Sequence, residues 1–218
     1  GSGLNRILLV GVGQRNDSLE RSVTSITFGG QALTKIAHQD RAGFGLYSRC
    51  ELWYLVAPNI GTNTITITWD GNVAWKSGIA ISYFGVNQTD ALGALTQDGG
   101  CTDPASHTLV PERASSVIVD VIHTQDGLLT VGPSQTQLTS AIHTGSARAL
   151  YMSAENVSGQ PSVTMSWSTA GCTSHISQEL RRAGNKDNIE SKVKFPGEAG
   201  NSLVLAHSES FYQQDFNL

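Results

Sequence analysis

The stretch Thr64 to Phe84, TITITWDGNVAWKSGIAISYF, decides the fold of this chain. Apolar and polar residues alternate with a step of two along both of its halves, which is the period of a β-strand with one buried face. Between the halves stands Asp70-Gly71, a dipeptide typical of tight turns. The same alternation places Trp69 and Trp75 in phase with isoleucines, so both are predicted to be core residues. The stretch therefore predicts two strands joined by a turn.

Most other apolar stretches have the same period, and no segment sustains helical spacing. Trp167 is likewise in phase with its apolar neighbours and is predicted to be buried, and Gly29-Gly30 predicts a tight hairpin. The pattern predicts an all-β fold, a β-sandwich of the jelly-roll or Ig-like kind with about ten to twelve short antiparallel strands. The predicted strands are Arg6 to Val12, Val23 to Phe28, Ala32 to Ala37, Cys50 to Val56, Thr64 to Trp69, Gly78 to Val86, Val117 to His123, Leu128 to Gln135, Ala147 to Ala154, Ser162 to Trp167 and His175 to Leu180.

Composition narrows the class of partner. The chain has 218 residues, 15% of them charged, and a formal net charge of −4. Its 14 lysines and arginines are scattered along the sequence, which argues against nucleic acid as a partner because phosphate binding needs concentrated positive charge. No apolar run is long enough to cross a bilayer, so no membrane span is predicted.

The three cysteines stand in different surroundings. Cys101 and Cys172 both follow glycine in loop-like segments, whereas Cys50 lies in the strand-like run CELWYLV. We therefore predict a Cys101–Cys172 disulfide and a buried free Cys50, with three inert thiols as the alternative. A disulfide would indicate an oxidising, extracellular or cell-surface location.

Four segments resemble a β-sandwich repeat module of large secreted or surface-anchored bacterial proteins. They are NRILLVGV (5–12), VTSITFGGQALT (23–34), ELWYLVAP with GTNTITITW (51–69) and ISYFGVNQTDALG (81–93). The resemblance covers residues 1 to about 182 and implies an extracellular, repeated or multidomain setting. It implies no catalytic residues. Such modules open with a strand that this chain lacks before its GSG segment.

The end of the chain offers a candidate for that strand. We divide the chain into a module (1–183), a polar linker (184–188) and a C-terminal extension (189–218). Within the extension, IESKVKF (189–195) alternates as a strand does, and its apolar face carries Ile189, Val193 and Phe195. We predict these as the knobs of a donor strand, and we predict an acceptor groove lined by Ile7, Leu9 and Val23.

Two routes for the extension stay open. The segment GEAGNSLVLA (197–206) resembles the opening GSGLNRILLV (1–10), as if one module ended by beginning the next. A donor strand that enters a second copy would give a head-to-tail homo-oligomer, that is, an extracellular structural subunit of a filament, adhesin or surface layer. A strand that folds back on its own module, or that begins a second one, is the other route.

A binding module is the alternative function. Phe44 and Tyr47 stand in the glycine-flanked loop DRAGFGLYS, and loops on a rigid sandwich often carry binding residues. These two side chains are candidates for contacts with cell-surface or matrix glycans, as in a secreted adhesin or a polysaccharide-degrading enzyme. A loop that packs its own aromatic residues onto the sheet is the competing interpretation.

No catalytic or metal motif stands out, and we predict that the chain is not an enzyme and needs no cofactor. There is no GxSxG elbow, and the six histidines lack metal-ligand spacing. Asp98 and Asp103 could supply calcium oxygens from a loop, although no EF-hand pattern is present. Asp120 and Asp126 are the other members of the nearest acidic cluster.

Overall fold

A computed structural model describes residues 4–16, 21–43, 46–125, 127–142, 148–168, 171–184, 190–194 and 202–205. Within these ranges the chain is all-β and forms no helix, so the predicted fold class is confirmed. The strands are β1 (Ile7–Asn16), β2 (Val23–Phe28), β3 (Gln31–Ala32), β4 (Thr34–Gly43), β5 (Leu46–Val56), β6 (Ile65–Trp69), β7 (Trp75–Phe84), β8 (Leu92–Gly100), β9 (Ala105–Leu109), β10 (Ser115–Thr124), β11 (Thr130–Val131), β12 (Thr136–Ile142), β13 (Ala149–Ser158), β14 (Val163–Ser168), β15 (Thr173–Arg181), β16 (Glu190–Lys194) and β17 (Ser202–Leu205).

The strands form four sheets, and every pairing is antiparallel. Two large central sheets have the orders β16-β7-β1-β5-β4 and β12-β13-β10-β15-β8. A smaller sheet, β17-β6-β2-β3, covers the first of them, and β11-β14-β9 covers the second. The fold is therefore a sandwich of two central sheets with an additional sheet packed on each outer face.

The central core lies between the two large sheets. Ile7 and Leu9 on β1 share this core with Val119 and Met152 of the facing sheet, and all four side chains are fully buried. Both central sheets are buried on two faces, and for this reason β1 and β10 read as nearly continuous apolar runs.

Glycines let β1 approach the facing sheet closely. A Cβ atom added to Gly11 would lie 2.7 Å from Cγ2 of Val121, and one added to Gly13 would lie 2.6 Å from Cδ2 of His123. Both distances are shorter than carbon atoms tolerate, so the sheet spacing at these positions depends on glycine.

Two outer cores, each between a central sheet and the smaller sheet that covers it, hold two of the tryptophans that were predicted to be buried. Trp69 on β6 is 5% exposed and Trp167 on β14 is fully buried, and each packs against its central sheet. The sequence did not indicate which face of the sheet Trp53 lies on. It is buried in the outer core between the β7-β1-β5 and β6-β2 sheets. Trp75 was expected in the core as well, but it is only partly buried because it lies at the end of β7 among arginine side chains.

The two halves of the chain repeat one arrangement. Strand for strand, β16-β7-β1-β5-β4 corresponds to β8-β15-β10-β13-β12, and β17-β6-β2 corresponds to β9-β14-β11. The sequences of β6 and β14 agree with this match, since ITITW ends in Trp69 and VTMSW ends in Trp167 with the same alternation. The fold thus contains an internal structural repeat.

Two crossovers interlock the halves. The chain passes from the first central sheet to the second after β7, and it returns after β15. The crossovers pair with each other at Val86 and Arg182, and the amide of Ala183 donates to the carbonyl of Gly85 over 2.8 Å. Each half is therefore completed by two strands that follow the other half in the sequence: β8 and β9 follow the first half, and β16 and β17 follow the second.

Candidate functional site

The tail strand β16 lies along the edge of β7. It runs antiparallel to β7, with Glu190 opposite Phe84, Lys192 opposite Ser82 and Val193 opposite Ile81. The described part of the predicted donor strand thus pairs with its own chain in this structure. Ile189 and Phe195, the two other predicted knobs, and residues 185–188 of the predicted linker lie outside the described residues.

The tail strand β17 lies along β6 in the outer sheet, with Leu203 opposite Ile67 and Leu205 opposite Ile65. The corresponding positions in the second half belong to β8, which pairs with β15, and to β9, which pairs with β14. The tail therefore provides for the first half what residues 92–109 provide for the second.

The predicted acceptor residues lie inside the cores. Ile7 and Leu9 are on β1, which has β5 on one side and β7 on the other, so β7 separates them from β16. Val23 lies in the outer core of the first half. The edge that receives the tail is formed by β7 and β6 instead.

The two pairs of completing strands are fastened differently. Cys101, directly after β8, forms a disulfide with Cys172, directly before β15, with an S–S distance of 2.05 Å. This confirms the predicted pairing, and Cys50 is free and buried as predicted. The sequence has no cysteine after Cys172, so no disulfide can hold β16 or β17.

A polar network also joins β9 to the second half. Nε2 of His107 on β9 lies 2.6 Å from the Ser177 hydroxyl of β15. The ring of His107 stacks on that of His175 with 4.0 Å between the centroids. Nε2 of His175 in turn lies 2.8 Å from Oδ2 of Asp120, which is fully buried.

Asp120 is the acceptor at the centre of this network. The Trp167 indole donates to it over 2.9 Å, and the Ser153 hydroxyl donates over 2.6 Å. Burial raises the pKa of Asp120, but the hydrogen bonds from His175, Ser153 and Trp167 outweigh burial, so the pKa lies below its usual value. The carboxylate therefore stays ionised in the core, where its donors compensate the cost of burying the charge.

The network includes serine, histidine and aspartate but does not form a nucleophilic triad. Asp120 contacts His175, whereas the histidine beside Ser177 is His107, and Ser177 is fully buried. Burial, and next the neighbouring His175, lower the pKa of His107 to about 3. The arrangement fixes β9 in place and offers no open nucleophile.

Two other buried carboxylates organise the outer layers. Glu51 on β5 accepts from the Trp53 indole over 3.0 Å, from the Val23 amide over 3.1 Å and from the Lys35 ammonium over 2.8 Å. Glu179 on β15 accepts from the backbone amides of Ala94, Glu112 and Arg113. Both side chains are 0% exposed, and they tie loops to the central sheets.

The predicted ligand loop lies at the end of the sandwich where β1 finishes. Phe44 lies outside the described residues, but Tyr47 at the start of β5 is partly exposed and lines a small pocket. The pocket is lined by Gln14, Asn16, Arg21, Asp40, Arg41, Tyr47, Ser48 and Arg49. We call this region the arginine end.

Sequence reasoning did not find the clustering of positive charge at this end. The Trp75 ring has the guanidinium carbons of Arg15 at 4.9 Å and Arg148 at 4.1 Å from its centroid. Arg21, Arg41 and Arg49 line the neighbouring pocket. These arginines are far apart in the sequence. The antiparallel pairing of β1, β4 and β5 brings Arg15, Arg41 and Arg49 together, and Arg21 and Arg148 come from the segments just before β2 and β13.

No metal centre is evident in the described part of the chain, where no three histidine, cysteine, aspartate or glutamate side chains converge on one point. The carboxylate of Asp98, a candidate calcium ligand, accepts from the amide of Gly99. Over the same ranges, no helix is long and apolar enough to cross a membrane.

Comparison with protein-family models, with curated proteins and with solved structures gives no match to this chain.

Proposed function

We propose that this chain is an extracellular structural subunit that joins copies of itself by strand complementation, with the tail strands of one copy completing the first half of the next. The observation that carries the proposal is the match between β16-β17 and β8-β9. Both pairs complete a half by adding one strand to a central sheet and one to an outer sheet. The tail is therefore a sheet-completing element at the end of the chain.

The interactions that seat β16 do not depend on which copy supplies it. Main-chain hydrogen bonds to β7 and β6 form equally with a tail from another molecule. When each tail enters the next copy, the contact is head-to-tail and repeats along a filament. The resemblance to a repeat module and the completion of the first half by the tail support the same assignment.

Residues 173–218 contain no cysteine that could form a disulfide, and this supports exchange of the tail strands between copies. In the second half, the Cys101–Cys172 disulfide holds β8 beside β15. Nothing of this kind is available to residues 173–218, which contain no cysteine. The exchangeable strands are thus those at the end of the chain. The disulfide also agrees with an extracellular location.

Cysteine cross-linking tests the proposal. Ser82 on β7 is partly exposed and lies opposite Lys192, and antiparallel partners are at a distance that a disulfide spans. We would prepare Ser82→Cys and Lys192→Cys as separate proteins, mix them and oxidise the mixture mildly. A cross-linked heterodimer requires the tail of one molecule to lie on β7 of another.

The controls define the outcome. Each single variant oxidised alone should stay uncrosslinked, because each has only one member of the pair. The double variant should form the bond in any case, which shows that the pair is competent. If the double variant cross-links only within single chains and the mixture yields no heterodimer, the tail acts on its own chain and the proposed assembly is wrong.

Shape and mass provide an independent readout. Light scattering and negative-stain microscopy should show chains of subunits for residues 1–218 and compact particles for residues 1–183. Compact monomers for both proteins would contradict the proposal.

A further inference from the structure

The arginine end contains a pocket whose polar groups do not all find partners within the described part of the chain. Arg49 has internal partners, since Nε and Nη2 donate to the Asp40 carboxylate over 2.5 and 2.8 Å. These hydrogen bonds fix the position of the Arg49 side chain in the pocket lining. Arg21 and Arg41 also line the pocket, and with the described residues neither makes a carboxylate contact as short as those of Arg49.

Arg41 has no carboxylate partner within 4.0 Å among the described residues. Its Nη2 atom contacts Sγ of Cys101 over 2.5 Å. Arg21 lies 3.8 Å from a carboxylate oxygen of Asp70, which is 41% exposed to solvent. Two guanidinium groups beside one pocket therefore have donors to spare for an anion, and guanidinium binds carboxylate and sulfate through paired hydrogen bonds.

The same pocket has groups suited to hydroxyls. Gln14 is 4% exposed, and its Oε1 atom has no hydrogen-bond partner among the described residues. A buried carbonyl oxygen without a donor is costly, so a water or hydroxyl that donated a hydrogen bond to it would be favoured. Tyr47 adds a partly exposed aromatic ring to the lining. Acidic groups beside hydroxyls on a ring are the chemistry of uronic acids and sulfated sugars.

We propose that the pocket lined by Gln14, Arg21, Arg41 and Tyr47 binds the acidic group of an anionic polysaccharide. The carboxylate or sulfate lies at the mouth of the pocket beside Arg21 and Arg41, and one water inside the pocket, which has room for about one, connects the ligand to Oε1 of Gln14. The attraction is local, because the whole chain carries a net charge of −4 and repels polyanions elsewhere. This site is independent of the tail strands and of the assembly proposed above.

Binding to defined oligosaccharides at 0.15 M salt tests the site by isothermal titration calorimetry. The probes are a galacturonic acid hexamer, which carries only carboxylates, a heparin hexasaccharide, which also carries sulfates, and neutral cellohexaose. The variants are Arg21→Gln and Arg41→Gln. The matched control is Arg113→Gln, which removes an arginine that is 61% exposed and lies near Asp90, away from the pocket.

We expect at least one acidic hexamer to bind, cellohexaose not to bind, and each pocket variant to weaken binding about tenfold while Arg113→Gln leaves it unchanged. Binding of the galacturonate hexamer identifies carboxylate as sufficient, and binding of heparin alone identifies sulfate. If neither acidic probe binds, or if the pocket variants bind as tightly as the native chain, the assignment is overturned.

Discussion

Acidification from pH 7.5 to pH 4.5 should destabilise the fold through His107. Burial and the stacked His175 lower the pKa of His107 from 6.5 to about 3, so the side chain stays neutral in the folded protein at both pH values. The unfolded chain binds a proton at this position once the pH falls below 6.5. The contribution of His107 to stability is therefore complete above pH 6.5 and is lost as the pH falls towards 3.

The size of the effect follows from the shift. Each pH unit between the two pKa values costs about 1.4 kcal/mol, so the interval from 6.5 to 4.5 costs about 2 to 3 kcal/mol. Because His107 is only partly buried, we expect the lower end of this range. Other groups titrate in the same interval, and a variant without the imidazole is needed to isolate this contribution.

Urea unfolding followed by tryptophan fluorescence provides the measurement. The free energy of unfolding is determined at pH 7.5 and pH 4.5 for the native chain and for His107→Gln. The loss on acidification should be about 2 kcal/mol smaller in His107→Gln than in the native chain. An equal loss in the native chain and in His107→Gln would refute the reasoning.

Three further predictions concern stability. Replacing Cys101 and Cys172 by serine opens a covalent loop with a sequence separation of 71 and should lower the free energy of unfolding by about 2 to 4 kcal/mol. An unchanged thermal midpoint would show that the β8-β15 pairing holds β8 without the disulfide. Gly13→Ala places a methyl group against the ring of His123 and should lower the free energy of unfolding by about 1 to 3 kcal/mol in chemical denaturation. The comparison variant Gly30→Ala has no atom within 4 Å of the added Cβ and therefore measures backbone strain without crowding. Glu51→Ala leaves the Trp53 indole and the Val23 amide without their acceptor and should cost about 3 to 5 kcal/mol; a loss below 1 kcal/mol in urea unfolding would contradict the role assigned to this carboxylate.

The features that local sequence determines were predictable. The alternation of Ile65, Ile67 and Trp69 needs only a sheet with one face in a core, and the structure buries all three. Gly29 and Gly30 adopt φ values of 54° and 84°, which the hairpin between β2 and β3 requires and which glycine adopts at little cost. The cysteine pairing followed from the contrast between loop-like and strand-like surroundings.

The features that depend on distant contacts were not predictable. The strand β8, LGALTQDGG, has six partly buried and three exposed residues and no alternation of buried and exposed positions, so no periodicity marks it. Pairing with β15 and the disulfide hold it in place. The sequence predicted a strand over Leu128 to Gln135, but only Thr130–Val131 pairs there and the longer strand follows at Thr136–Ile142. Asp120 belonged to a candidate acidic cluster, yet its partners come from β13, β14 and β15 and make it a buried acceptor.

The interlocked crossovers affect how the chain matures during translation. Glu190 pairs with Phe84, so the edge of β7 finds its partner only after more than a hundred further residues have been synthesised. During that interval the nascent first half exposes an unpaired edge on each of its two sheets, and open edges are where chains pair wrongly with one another. The completing strands β16 and β17 are synthesised after both halves. The interval before their synthesis is the step at which a holdase chaperone would have the greatest effect on yield.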